Sequence, residues 1–192
     1  MPTSFTQPAA ASVASATPPR IHLVIGPVGA GKSTFVRQLV QQHRAVPLNL
    51  DDWMATLFSQ DRPSSPDTAD VMAWYVPRTL RCLAQIWKTA EAVLNAGCDV
   101  VLEVGLIQQA QRDAFYARMG PWADAVVVYV LDAPRELRRE RVLRRNTQQG
   151  ATFSMVVPPH IFELASDLWQ PPGEAECAQR NVVWVPVAER AL

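Results

Sequence analysis

The chain has 192 residues, 48% of them hydrophobic and 19% charged, with 18 Lys and Arg balanced by 18 Asp and Glu. That suits one domain with a complete core, and no apolar run approaches the roughly 18 residues needed to cross a bilayer. With no net charge there is no long-range field to draw in nucleic acid or an anionic membrane, so neither is expected as a partner.

Residues 1–19 are rich in Ala, Ser, Thr and Pro and carry no Lys or Arg and no continuous apolar stretch. They read as a disordered tail and not as a secretory signal, which leaves 20–192 as the folded domain. The apolar run 21–25 leads into Gly26-Pro27-Val28-Gly29-Ala30-Gly31-Lys32-Ser33, which spells GxxxxGK(S/T). A segment with Phe35, Val36, Leu39 and Val40 at helical spacing follows. In such a strand–loop–helix setting, successive backbone N–H groups turn inward around phosphates and the helix adds its positive dipole end. The expected nucleotide contacts are Gly26, Gly29, Ala30, Gly31, Lys32, Ser33 and Thr34. Lys32 would bridge the β and γ phosphates of ATP, and Ser33 would ligate Mg²⁺.

A second run, 45–50, ends directly on Asp51 and Asp52. These carboxylates therefore lie at the carboxyl edge of a strand, where open α/β sheets bind ligands. Asp51 is assigned to the acceptor hydroxyl as base or orienting group, and Asp52 to the cap of the next helix or a supporting role. About fifty residues then precede the third run, far more than such connections need, so they read as an insertion for substrate binding. A helix-like piece, 53–58, a loop, 59–66, and a long helical pattern over about 70–95 fill it, and Gly97 marks the end. Trp74, Tyr75 and Trp87 lie on the long helix; packing on the sheet is their ordinary role, with ligand contact open for Trp74 and Tyr75.

The third run, 99–104, is interrupted by Glu103. An unpaired buried carboxylate is costly, so Glu103 is expected to face Lys32, Ser33 and the Mg²⁺ water shell. The fourth run, 125–131, reads as an interior strand buried on both faces. Six arginines follow, Arg135, Arg138, Arg139, Arg141, Arg144 and Arg145, of which Arg138, Arg141 and Arg145 share a helical face. They form either a solvated face, offset by Glu136 and Glu140, or a lid over transferring phosphates, for which Arg141 and Arg145 are the preferred pair. The turn-rich stretch 147–157 suits a mobile cover, and a fifth run, 182–187, completes the βα alternation of a parallel sheet. Cys82, Cys98 and Cys177 are odd in number and far apart, which points to reduced, mostly buried thiols without a zinc site or disulfide framework.

GPVGAGKST, LNLDDW, DVVLEVGL and DAPRELRRERVLRRN, in this order between Ile21 and Glu176, resemble the P-loop kinase group. That group contains polynucleotide kinases, chloramphenicol phosphotransferase-like and zeta-toxin-like proteins, often labelled AAA-family ATP-binding proteins. The resemblance implies a three-layer α/β sandwich with a five-stranded parallel sheet of order 2-3-1-4-5, a helical insertion and a lid. It also implies Asp51 as catalytic base and Arg141 and Arg145 as lid arginines. Trp53 is followed by Met54 where polynucleotide kinases are expected to carry an arginine, which again speaks against nucleic acid.

The reading that follows is an ATP- and Mg²⁺-dependent kinase acting on a hydroxyl of a small molecule in the cytoplasm. Its catalytic residues would be Lys32, Asp51, Arg141 and Arg145, and its metal ligands Ser33 and Glu103. The alternatives are an ATP-binding regulatory module with a partner protein, and a 5′-hydroxyl polynucleotide kinase.

Overall fold

In the computed structural model, residues 18–63, 67–148 and 156–186 are described. All but the last two residues of the expected tail 1–19, and residues 149–155 of the expected cover, lie outside these segments. The five apolar runs form β1 (Ile21–Ile25), β2 (Val46–Asn49), β3 (Val100–Glu103), β4 (Val126–Leu131) and β5 (Asn181–Val185). They pair in parallel in the order β2-β3-β1-β4-β5, as expected.

Every side chain of β1 is buried, because helices cover both faces of the sheet. Ile21, Leu23 and Ile25 point into one core with Val100, Leu102, Val126, Val128 and Val130, while Val24 points into the other with Val101 and Leu131. This is the two-residue strand period dividing its side chains between layers. Helix α1 (Lys32–His43) packs Val36 and Leu39 into the second core. Helices α2 (Leu50–Phe58), α3 (Thr68–Asn95) and α4 (Gln109–Met119) close the first. Helices α5 (Arg135–Gln148), α6 (Pro159–Asp167) and α7 (Glu174–Gln179) follow β4.

Strand β2 stops at Asn49, and Leu50 opens α2, one residue earlier than its apolar run suggests. The cause is a cap: the Asn49 side chain accepts the Asp52 backbone N–H at 3.1 Å. This corrects the assignment of Asp52 as the cap. Helix α3 begins at Thr68, where the Asp67 carboxylate accepts the Ala69 N–H at 2.8 Å. It runs through Pro77, which has no N–H to give, and ends where Gly97, at φ 81°, bonds back to the Leu94 carbonyl. Trp87 is core, edge-on to Phe115 with ring centres 5.9 Å apart, whereas Trp74 and Tyr75 are only half-buried at the core's margin. Of the three free cysteines only Cys82 is buried; Cys98 and Cys177 are exposed, against the expectation of mostly buried thiols.

Candidate active site

The strand order places the carboxyl ends of β1 and β3 side by side, and the residues singled out in the sequence converge there. The loop from β1 to α1 is held very close to its surroundings. A Cβ on Gly26 would lie 2.1 Å from the Leu131 carbonyl oxygen, and one on Gly29, at φ 81°, 2.6 Å from that of Arg138. Only glycine fits either place. The N-cap of α1 is Gly31, which has no side chain to offer, so the first-turn N–H groups of α1 carry no side-chain cap. Such an end is a ready anion site.

The Lys32 ammonium donates to the carbonyls of Gly26 and Pro27, both at 3.0 Å. Its pKa is pushed down by removal from water, an effect partly offset by the negative charges of Glu103 and Asp51. Ser33 Oγ donates to Glu103 Oε1 at 3.0 Å, and Asn49 Nδ2 donates to Glu103 Oε2 at 2.9 Å. The β2–β3 register, which sets Asn49 opposite Glu103, brings this last pair together. Glu103 is buried, and burial raises its carboxyl above the usual range while Lys32 pulls it back. A hydroxyl and a carboxylate this close are hard oxygen donors of the kind that suit Mg²⁺ completed by water.

Asp51 stands in the first turn of α2 with solvent on one side and protein crowded around the rest. That crowding raises its carboxyl, and the charges of Lys32 and then Arg145 oppose the shift. Tyr75 on α3 borders the same carboxylate: burial first, then the Asp51 charge, raises its phenol.

The six arginines part company. Arg138 is buried behind the phosphate loop, donating to the carbonyls of Ala133 at 2.9 Å and Val28 at 3.1 Å and to Ser166 Oγ at 3.0 Å. Arg135 and Arg139 both bind Glu163 of α6, and Arg135 also reaches Asp167. Arg144 pairs with Glu140 on the exposed side of α5. Arg145 turns to the site, where its charge acts on both Lys32 and Asp51, and its Nε is buried with no hydrogen-bond partner among the described residues. Arg141 lies half-buried one turn before it.

Sequence reasoning missed Asn49, which stands two residues before Asp51, a position that hinted at it.

No helix among the described residues is long and apolar enough to cross a membrane. The sequence matches no curated protein. Among solved structures, a candidate kinase from Chloroflexus aurantiacus shares the fold with TM-score 0.65 and 17% identity, over 88% of this chain and 85% of that one. A gluconokinase from Sinorhizobium meliloti gives TM-score 0.57 and 18% identity, over 91% and 85%. A chain in the Pnkp1/Rnl/Hen1 RNA repair complex gives TM-score 0.57 and 20% identity over 83% of this chain, which spans 46% of that longer one.

This last likeness overturns the expectation that nucleic acid is an unlikely partner. Neutral net charge limits long-range attraction only, and a fold shared with an RNA repair protein leaves a local contact with a strand open. The fold is that of P-loop kinases, and the AAA domain family matches residues 21–158, which is most of the chain: the protein belongs to that family.

Proposed function

We propose that the protein is an ATP- and Mg²⁺-dependent phosphotransferase that moves the γ-phosphoryl group to a hydroxyl of a small molecule. The observation that carries this reading is Asp51, a carboxylate within electrostatic reach of Lys32 and Arg145, with the helical insertion on its other side. A raised carboxyl in that place suits a group that takes a proton from a substrate hydroxyl.

The N–H groups of Gly29, Ala30, Gly31, Ser33 and Thr34, with Gly26 giving the turn, hold the phosphates, and Lys32 exchanges its carbonyl partners for β and γ oxygens. Ser33 and Glu103 would hold Mg²⁺, which when bound neutralises charge across those phosphates. Asp51 accepts the hydroxyl proton as the acceptor oxygen bonds to the γ phosphorus and the bond to the bridging oxygen breaks, leaving a phosphate ester and ADP. Arg141 and Arg145 stabilise the charge that spreads over the transferred oxygens. Use of ATP places the protein in the cytoplasm.

The test is ADP release from Mg·ATP, alone and with sugars, sugar acids, aminoglycosides, chloramphenicol-like alcohols and nucleosides. The expected result is stimulation by one class, lost in Lys32→Ala; slow turnover indifferent to every acceptor would overturn the reading. The likeness to a gluconokinase puts polyhydroxy compounds first on that panel. The likeness to an RNA repair protein favours a second reading, transfer to a 5′-hydroxyl strand end, and adds such oligonucleotides to it.

A further inference from the structure

On the insertion side of Asp51, α3 presents Trp74, Tyr75 and Arg78 next to α2. Tyr75 senses the Asp51 charge, and Thr79 Oγ1 lies 3.9 Å from Met54 Sδ of α2. Arg78 sits three residues beyond Tyr75, so their Cβ atoms are about 5–6 Å apart on one helix face. Its guanidinium lies 5.1 Å from the Trp74 ring centre and 5.6 Å from that of Phe58 at the end of α2.

Two facts about this cation stand out. Among the described residues no carboxylate pairs with it; Nη1 donates to the Trp74 carbonyl at 3.0 Å, a neutral partner. Moreover, Arg78 Nε and Trp74 Nε1 are both buried N–H donors with no acceptor among the described residues. A buried donor left unpaired forfeits its bond to water with nothing in return, and here two such donors belong to side chains in contact. Other arginines of the fold, Arg112, Arg135, Arg138 and Arg139, have their Nε bonded to an oxygen. A guanidinium edge and an indole N–H are both donors of the kind that oxyanions accept from.

We infer that Arg78 and Trp74 bind an anionic group, a carboxylate or phosphate, of the acceptor whose hydroxyl lies at Asp51. The acceptor is thus a hydroxy acid or a phosphorylated alcohol. This rests on the phosphotransferase reading for the hydroxyl, but the anion site itself does not. The Arg78 guanidinium lies against the Trp74 and Phe58 rings, so an anion that reaches it must shift a ring, and Trp74 fluorescence reports the shift.

The test titrates gluconate and inorganic phosphate into the full-length protein with the nucleotide site saturated by Mg·ADP, following tryptophan fluorescence and heat. Saturable binding of at least one probe is expected, at least about tenfold weaker in Arg78→Gln, as befits loss of a charge-assisted hydrogen-bonded pair. Arg78→Lys, which keeps the charge without the fork, should fall between, and Trp74→Phe should lose most of the optical signal. Unchanged Mg·ADP affinity in each variant shows that the fold is intact. Absence of saturable binding, or binding indifferent to Arg78→Gln, would overturn the inference, even if neutral alcohols are phosphorylated. Conversely, anion binding without acceptor-stimulated ADP release would keep the anion site and sink the transferase reading. In turnover, matched pairs of neutral and anionic alcohols, and nucleosides against nucleoside 3′-phosphates, separate free small acids from strand ends. For anionic members Arg78→Gln should raise KM and leave kcat nearly unchanged.

Discussion

Lys32 is held by its own loop, with its ammonium on the Gly26 and Pro27 carbonyls and its side chain only half-buried. Removing it deletes phosphate contacts and almost no core volume. Lys32→Ala should therefore cut ATP turnover by on the order of 10²-fold or more, the usual loss for one electrostatic contact to the transition state. Its melting temperature should stay close to that of the wild type; global unfolding, or retained turnover, would refute the assignment. Asp51 makes a separate prediction. Below its raised pKa the carboxyl is protonated and cannot accept a proton, so the transfer rate should fall as pH drops through a value above the ordinary carboxylate range. Asp51→Asn should lower kcat by roughly 10²–10⁴-fold, remove that acidic limb and leave ATP affinity nearly intact. Equal loss of affinity and rate would move Asp51 into the nucleotide site.

Helix α5 shows how one element divides its labour among residues of the same type. Arg138 ties it to the phosphate loop, Arg135 and Arg139 tie it to α6, and the charge of Arg145 acts on both Lys32 and Asp51. Helix α4, which packs on the first core, is fixed by another buried charge. Arg112 of α4 makes a two-armed pair with Glu176 of α7, both arms at 2.8 Å, and Tyr116 donates to the same carboxylate at 2.9 Å. Both charges are buried, so removing one leaves the other stranded. Arg112→Ala should cost about 3–5 kcal/mol in denaturant unfolding, whereas Arg112→Met with Glu176→Leu should recover most of it. If the single and double variants unfold alike, the pair is not the cause. Such a cost was invisible in the sequence, because residues 64 apart gave no sign of meeting.

For the molecule as a whole, the end of the sheet away from the site carries a pH dependence. His22 is buried on β1, bonded to Asp99 at 3.2 Å and Tyr129 at 3.3 Å, with the His43 ring 4.2 Å away and Arg20 near. Burial lowers its pKa below the ordinary 6.5; the Asp99 hydrogen bond opposes this, and the His43 charge adds to it. The unfolded chain thus takes up a proton at a pH where the folded chain does not. Stability from this group is fully present above about pH 6.5 and is lost as pH falls from there through the lower, folded value. The stability difference between wild type and His22→Gln should shift against the wild type over that interval and be flat above it. A difference independent of pH would show that His22 binds its proton equally in the folded and unfolded chains.

The order of apolar runs determined the parallel sheet, and GxxxxGKS determined the phosphate loop, because period and turn chemistry act over a few neighbouring residues. Asp51 and Glu103 were legible for the same reason: each is a charge placed at the end of a strand. Helical spacing put Arg138, Arg141 and Arg145 on one face but could not say that Arg138 would turn under the loop and Arg145 toward the site, since packing of α5 against its neighbours decides that. Asn49 meets Glu103 through the β2–β3 register, and Arg78 meets Phe58 through the packing of α3 beside α2. Those pairings depend on which surfaces bury each other, a property of the folded chain that no local stretch of sequence contains.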